Sequence, residues 1–312
     1  KPEIYHLILA WPAFARRGRS LARLLYLARQ KVRTVLKRAD FHREVFFTSL
    51  SMSTIVYKAL TRAGDLAAFY PDLREPAFKS RFALFHRRFS TNTRTSWDKA
   101  QPFRVIAHNG EINTIAGNRS WSYSREQALG LPPDELLTHR GISDSGSLNE
   151  MCEALKYRSG LPDVEDVLAI LIPPPVEQTP YYRFWSRAVE PWDGPALVAY
   201  SDGRSVGARL DRNGFRPCRW AMTEDAFYCA SEAGAFDLER DETGTRRDRR
   251  RETRPRRRLA GIGTRQQRAC CGGGGLRCRQ AAGDRDQEWP GRILGAVAVD
   301  EEVHRPLDGG VI

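Results

Sequence analysis

The 312-residue sequence has no long hydrophobic run, and this absence excludes a membrane-spanning protein. Its longest apolar stretches, such as "VEDVLAILIP" (164–173), fall far short of the roughly 20 residues that a helix needs to cross a bilayer. No segment with a basic start and an apolar centre opens the chain, as a secretory signal would. We therefore expect a cytoplasmic protein without a membrane partner.

Cysteine is also scarce, and its spacing excludes two further classes of protein. The six cysteines include no C-x-x-C pair and follow no framework spacing, so neither a zinc site nor a disulfide scaffold is predicted. A free cysteine commonly behaves as a small hydrophobic residue, and we interpret each of them in this way. They are Cys152, Cys218, Cys229, Cys270, Cys271 and Cys278.

Aromatic residues are missing from residues 239–287, where arginine, glycine and alanine dominate. Residues 240–279 hold fourteen arginines, no lysine and four acidic residues, so most of the net charge of +12 belongs to this segment. Because it cannot bury enough apolar surface to offset its ordering entropy, we expect disorder. A slip of the reading frame near residue 240 is our favoured explanation, and a natural basic extension is the alternative. We divide the chain into residues 1–239 and a tail, residues 240–312.

Hydrophobic patterns within residues 1–239 predict both helices and strands. In residues 20–38 the apolar side chains recur at three-and-four spacing, which is typical of an amphipathic helix. Further helices are predicted at about 114–129, 144–158, 163–172 and 180–188. Short runs rich in Phe, Val, Ile and Thr predict strands at 44–51, 53–60, 81–90 and 102–110.

Four more strands are predicted between residues 196 and 231, as a β-meander. Its turns are predicted at Asp202–Gly203, Asn213–Gly214 and Glu224–Asp225, since Asp-Gly and Asn-Gly are strong hairpin signals. The whole pattern predicts an α+β fold with two stacked sheets flanked by helices.

Three polar clusters stand at predicted strand or helix ends: "RRFSTNT" (87–93), "AHNGEIN" (107–113) and "SDSGSL" (143–148). Arg88 at the rim of an apolar strand could hold a carboxylate through two parallel hydrogen bonds. Asn109 offers an amide donor and Gly110 an unshielded backbone N–H, which together could face a developing oxyanion. Asp144 could take an ammonium group. These groups describe a site for an α-amino acid whose side-chain carbonyl is attacked.

Each of these residues also has a structural interpretation. Asn109–Gly110 could form a hairpin turn, Arg88 a surface ion pair, and Asp144 a helix cap. His86 and His108 have no Asp or Ser at a catalytic spacing, so we interpret both as structural. Spacing alone leaves these alternatives open.

Four longer stretches of the sequence are more specific than the spacing of single residues. The stretches "FALFHRRFSTNTRTSWDKAQPFRVIAHNGEINTIAGNRSW", "SDSGSLNEMCEAL", "AVEPWDGPALVAYSDGRSVGARLDRNGFRPCRW" and "ASEAG" keep their order and spacing. From about residue 45 to 236 the chain resembles the glutaminase domain of glutamate synthase large subunits. The resemblance implies a class II glutamine amidotransferase with an N-terminal-nucleophile hydrolase fold, a four-layer αββα sandwich, here truncated.

The resemblance also implies roles for particular residues. Arg88 would bind the α-carboxylate of glutamine, Asp144 its α-amino group, and Asn109 with Gly110 the oxyanion of the tetrahedral intermediate. "DRNGFRP" (211–217) matches a turn of the family that we interpret as architectural and near the site.

In the family an N-terminal cysteine attacks the glutamine amide, forms a thioester and releases ammonia. The ammonia passes to a distant domain, where an imine of 2-oxoglutarate is reduced to glutamate. FMN and an iron–sulfur cluster are implied for the full-length protein, and no cofactor is expected in this chain. The implied partners are the missing synthase domains and a small NAD(P)H-oxidising subunit, with ferredoxin left open as electron donor. Because the chain begins with Lys1, the nucleophilic cysteine is absent and we expect this chain alone to be inactive.

Two other interpretations compete with this one. A catalytically dead amidotransferase-like protein would bind glutamine without cleaving it. A nucleic-acid-binding protein would use the arginine-rich segment to neutralise phosphates. That segment lacks the interleaved aromatic residues that stack on bases, so this interpretation is the weakest.

Overall fold

A computed structural model describes most of the first 235 residues and two short segments of the tail. The described residues are 2–10, 18–41, 45–87, 95–161, 163–175, 179–222, 226–232, 235, 275–279 and 294–299, with only the backbone given for 221–222, 226, 275–279 and 294–299.

All five helices predicted from the sequence are present. The α-helices of the described residues are α1 (Arg19–Arg38), α2 (Leu66–Phe69), α3 (Ile115–Ala128), α4 (Asp144–Arg158), α5 (Val164–Leu171) and α6 (Pro180–Trp185). Two short 3₁₀ turns, Ala63–Asp65 and Pro71–Arg74, flank α2. Across the described part of the chain, no helix combines the length and the apolar character needed to span a membrane.

The strands form two four-stranded sheets. In chain order they are β1 (Phe82–His86), β2 (Ile106–Gly110), β3 (Ala196–Ser201), β4 (Ser205–Leu210), β5 (Arg219–Met222), β6 (Ala226–Ala230), β7 (Gly275–Arg279) and β8 (Leu294–Val299). The first sheet has the order β2-β3-β4-β7 and is antiparallel throughout. The second sheet has the order β1-β8-β6-β5, in which β8 runs parallel to both β1 and β6.

The first sheet is buried on both faces, as its central strand β3 shows. Val198 and Tyr200 belong to the core shared with α4 and α5, whereas Leu197 and Ala199 belong to a second core with Phe82 of the other sheet. Successive strand residues point to opposite faces, so β3 separates the two cores. A helical layer and two stacked sheets follow, and the predicted α+β class is confirmed at this level.

The predicted β-meander is wrong in its middle turn. Asp202–Gly203 does join the antiparallel pair β3 and β4, and β5 pairs with β6. Residues 211–218, however, lead from β4 in the first sheet to β5 in the second. The Asn-Gly signal marks a local change of backbone direction, and it does not decide which strand the chain pairs with next.

The two strands predicted at 44–51 and 53–60 are also wrong, since residues 45–60 form no strand. Side chains bind this backbone instead: Ser49 Oγ accepts from the Val56 N–H (3.2 Å), and the Tyr70 hydroxyl donates to the Lys58 carbonyl (2.5 Å). β-Propensity depends on a neighbouring strand to pair with, and here side-chain partners satisfy the backbone.

The tail departs from the predicted disorder in two places. Residues 275–279 form β7 at the edge of the first sheet, and residues 294–299 form β8 between β1 and β6. The apolar run "LGAVAV" suits the inner position of β8 in its sheet. For the other residues of 240–312 the prediction lies outside the described residues.

Candidate active site

Asn109 and Gly110 are the last two residues of β2, at one end of the first sheet. They pair with Leu197 and Ala196 of β3, so the alternative interpretation as a hairpin turn is wrong. The Asn109 side chain is fully buried.

Gly110 lies where two backbone segments pass very close to one another. Its φ is +122°, and a Cβ atom there would stand 1.8 Å from the Pro195 carbonyl oxygen. Gly194 faces the same constraint, because its Cβ would stand 2.0 Å from the Glu111 carbonyl oxygen. Side chains larger than hydrogen are therefore excluded from both positions, and the end of β2 packs directly against the backbone of residues 194–195.

Two side chains hold the Asn109 carboxamide in one orientation. Its Nδ2 donates to Ser231 Oγ at 3.0 Å, and Ser231 is itself buried after β6. Its Oδ1 accepts a hydrogen bond from Arg216 Nη2. The amide oxygen and nitrogen are thereby distinguished, since a guanidinium can only donate.

Asp211 builds the turn that carries Arg216. Its Oδ1 accepts from the backbone N–H groups of Asn213 (3.0 Å) and Phe215 (3.1 Å), and its Oδ2 accepts from that of Arg216 (3.0 Å). Gly214 within this turn has a φ of +68°. A carboxylate that accepts from three backbone N–H groups folds "DRNGFR" into a compact loop, which explains the motif in physical terms.

Asp144 begins α4 but does not cap it. Ser143 is the cap, because its Oγ accepts from the Gly146 N–H at 3.1 Å. The Asp144 carboxylate turns instead towards the end of β2, where Oδ2 accepts from the Ile112 N–H at 3.2 Å. Its side chain remains 24 % exposed. The structure therefore brings Asp144 to the same strand end as Asn109 and Gly110.

His108 lies buried behind this strand end, and His86 beside it is partly buried. His108 Nε2 is 3.6 Å from Asp144 Oδ2, and neither ring nitrogen of His108 has a hydrogen-bond partner among the described residues. Burial lowers the pKa of His108, with the Asp144 charge opposing the shift. Burial also lowers the pKa of His86 to about 4, and His108 adds to that effect. Both imidazoles are therefore neutral at pH 7.

Arg88, the predicted carboxylate holder, lies outside the described residues. β1 ends at His86, whose side chain hydrogen-bonds to the backbone of His108. The polar cluster 87–93 thus follows a strand whose end adjoins β2, but the position of Arg88 stays a prediction.

Sequence reasoning placed "DRNGFRP" near the site as an architectural turn, but it missed the contacts that Arg216 and Ser231 make with Asn109. The available signal was the spacing within "DRNGFRP", where Asp211 precedes an Asn-Gly pair as side-chain-capped turns commonly do. Ser231 has no such signal, since it reaches Asn109 only through the stacking of the two sheets.

A strand end that holds a fixed carboxamide, a glycine backbone and a carboxylate together is suited to binding and polarising an amide substrate. A family model described as glutamine amidotransferases class-II matches residues 1–252, and the chain belongs to this family. The resemblance stated from the sequence is thus confirmed.

Curated relatives indicate which members of this family the chain resembles. The chain is 42 % identical over 236 residues to ferredoxin-dependent glutamate synthase 2, chloroplastic, of Arabidopsis thaliana, covering 70 % of this chain and 14 % of that protein. It is 39 % identical over 257 residues to ferredoxin-dependent glutamate synthase of Cyanidium caldarium, covering 76 % and 16 %. It is 40 % identical over 257 residues to ferredoxin-dependent glutamate synthase 2 of Synechocystis sp., with the same coverage. The chain spans about one sixth of the length of these relatives.

Proposed function

We propose that this chain is the glutamine-hydrolysing part of a glutamate synthase. The observation that carries the proposal is the end of β2, where the held Asn109 carboxamide and the Gly110 backbone lie beside the Asp144 carboxylate. Family membership supplies the substrate class, and the similarity to synthases supplies the larger context.

Each group has one task in this proposal. The Asp144 carboxylate binds the α-ammonium of glutamine, and Arg88 binds the α-carboxylate. Asn109 Nδ2 and the Gly110 N–H donate to the oxygen that becomes negative when the amide carbon turns tetrahedral. Such donors are most effective when they are fixed before the reaction, as the Asn109 amide is.

The covalent steps follow the thiol chemistry that the family resemblance implies. A cysteine thiolate adds to the amide carbon, the C–N bond breaks, and ammonia leaves with a proton. Water then adds to the thioester, the C–S bond breaks, and glutamate leaves while the thiol is restored. The described residues surround the carbonyl group in this scheme and do not supply the attacking atom.

Binding of L-glutamine to this chain tests the proposal by titration calorimetry. We expect Asp144→Asn to weaken binding at least tenfold, about 1.4 kcal/mol, because the α-ammonium loses its counter-charge. Glutaramate, which lacks the α-amino group, should bind the parent chain and the variant equally.

Asp65→Asn provides a matched control, since it removes an exposed carboxylate outside the site. We expect this variant to bind L-glutamine like the parent chain. Absence of L-glutamine binding by the parent chain, or equal binding by Asp144→Asn, would contradict the proposal.

For the full-length protein we propose a synthase that couples released ammonia to the reductive amination of 2-oxoglutarate. The relatives are named ferredoxin-dependent, which favours reduced ferredoxin over a small NAD(P)H-oxidising subunit as the source of electrons. A comparison of the two donors in an assay of the full-length enzyme decides between them.

FMN and an iron–sulfur cluster belong, in this proposal, to other parts of the full-length protein. The described residues of this chain do not fit a cluster, which needs several converging cysteine thiolates. Cys218 and Cys229 adjoin one another between the sheets, whereas Cys152 lies in the core on the other face of the first sheet. In the described part of the chain, no group of three His, Cys, Asp or Glu side chains is placed to hold a metal ion.

We further propose that a second helical layer covers the outer face of the second sheet and completes the αββα sandwich. The two stacked sheets and the helices outside the first sheet support this arrangement. We also propose a cytoplasmic location, although the relative from Arabidopsis thaliana is named chloroplastic. An experimental structure and cell fractionation test these two points.

A further inference from the structure

We propose that Arg216 is a positioning residue for amide cleavage, which orients and polarises the Asn109 carboxamide. The proposal rests on the proposed glutaminase function and deepens it. Its starting point is the hydrogen bond from Arg216 Nη2 to Asn109 Oδ1, between residues 107 positions apart in the sequence.

Arg216 is partly buried, and its environment differs from that of Arg29 and Arg104. Arg29 and Arg104 both pair with the carboxylate of Glu153, at 2.7 and 2.8 Å. The guanidinium of Arg216 pairs with no carboxylate among the described residues, and its buried Nε has no hydrogen-bond partner there. A cation that is partly desolvated without a counter-ion costs stability. Its position is therefore better explained by its effect on the neutral amide that it contacts.

That effect has two physical parts. A carboxamide turned by 180° would present its oxygen where the nitrogen should stand, and an oxygen would repel the developing oxyanion. Arg216 excludes this orientation, because only Oδ1 can accept from a guanidinium. A positive charge at Oδ1 also draws electron density from the amide, so the N–H groups become stronger donors.

The surroundings of Asn109 are built to keep this geometry. Asp211 fixes the backbone N–H of Arg216 at 3.0 Å, and Ser231 accepts from Asn109 Nδ2 at 3.0 Å. Arg216 precedes β5 and Ser231 follows β6, so both holders come from the second sheet while Asn109 belongs to the first. Stacking of the two sheets thus aligns the oxyanion donor.

Steady-state glutamine hydrolysis by the full-length enzyme tests the role of Arg216. We expect Arg216→Met to lower kcat about 10²- to 10³-fold, as loss of one oxyanion donor does, with KM for glutamine changed less than threefold. Arg216→Lys should recover part of kcat, since an ammonium still donates to Oδ1. Arg212→Met is the matched control from the same turn: Arg212 faces Asp193 at 3.7 Å, and kcat should stay within twofold.

A double-mutant cycle separates positioning from a general loss of structure. If Arg216 acts through Asn109, the variant carrying both Asn109→Ala and Arg216→Met should be no slower than Asn109→Ala alone. Additive losses, or an unchanged kcat for Arg216→Met, would overturn the proposal. An unmutated enzyme that neither binds nor cleaves glutamine would instead refute the proposed function, so the two failures can be told apart.

Discussion

A missing side chain shapes the candidate site at Gly110. Its φ of +122° and the Pro195 carbonyl oxygen leave no room for a Cβ atom, whose contact distance would be 1.8 Å. The backbone around Pro195 can pass this close to the end of β2 only because Gly110 has no side chain. Gly117, in α3, has no atom within 4 Å of an added Cβ and no positive φ.

These two glycines give a matched pair of substitutions. Gly110→Ala should shift the end of β2, lower the free energy of unfolding by more than about 1 kcal/mol, and remove the oxyanion geometry. Gly117→Ala should instead be neutral or stabilise by about 0.5–1 kcal/mol, because alanine is the better helix former. Denaturant unfolding and glutamine titration of both variants check this, and equal behaviour of the two would refute it.

Helix α4 holds a buried carboxylate that connects three parts of the fold. Glu153 pairs with Arg29 of α1 and with Arg104, which precedes β2, and it accepts from Asn149 Nδ2 at 3.0 Å. Asn149 Oδ1 in turn accepts from the Val105 N–H at 2.9 Å. Burial alone would raise the pKa of Glu153, but Arg104 and Arg29 outweigh burial and lower it. The carboxylate is therefore ionised in the folded protein.

Removing this charge should be far more costly than removing a surface charge. We expect Glu153→Gln to lower the free energy of unfolding by about 3–5 kcal/mol at pH 7, because the buried Arg29 and the partly buried Arg104 lose their charged partner. Glu75→Gln, at an exposed position, should change it by less than about 0.5 kcal/mol. Urea unfolding of both variants measures the difference, and a small loss for Glu153→Gln would contradict the prediction.

The stabilisation that Glu153→Gln removes should also depend on pH. The pKa of Glu153 is lower in the folded state than its ordinary value of 4.5, so the unfolded state binds more protons as pH falls below that value. The stabilisation is therefore present above about pH 4.5 and is lost as pH falls through the lowered pKa. The stability difference between the parent chain and Glu153→Gln should shrink in acid, and a constant difference would oppose this origin.

The two sheets depend on strands that are distant along the chain. β8 lies between β1 and β6, so residues 294–299 close a sheet whose other strands come from residues 82–230. Removing an inner strand exposes apolar surface and leaves its neighbours with unpaired edges.

Truncation therefore tests whether residues 240–312 contribute β7 and β8 to the fold or are disordered, as their composition predicts. A chain ending at residue 239 loses β7 and β8, and we expect a lower Tm and a broader thermal transition than for the full chain. A chain ending at residue 299 keeps both strands and should unfold like the full chain. An unchanged Tm after removal of residues 240–312 would support the disordered tail instead. Circular dichroism melting of the three chains measures this.

The sequence by itself determined the local elements and much of the site. The apolar periodicity of residues 20–38 located α1, because an amphipathic helix is encoded within a few turns. The clusters around Asn109 and Asp144 were found because polar residues gather there at the ends of a predicted strand and a predicted helix. The resemblance to the glutaminase domain of glutamate synthases then supplied the roles of these residues.

Only the tertiary structure decided which distant segments meet. Residues 45–60 have β-propensity but no partner strand, and Asn213–Gly214 joins two sheets rather than two neighbouring strands. Arg216 and Ser231 reach Asn109 across 107 and 122 residues of sequence. Pairing and stacking depend on which surfaces pack together, and no local pattern of side chains contains that information.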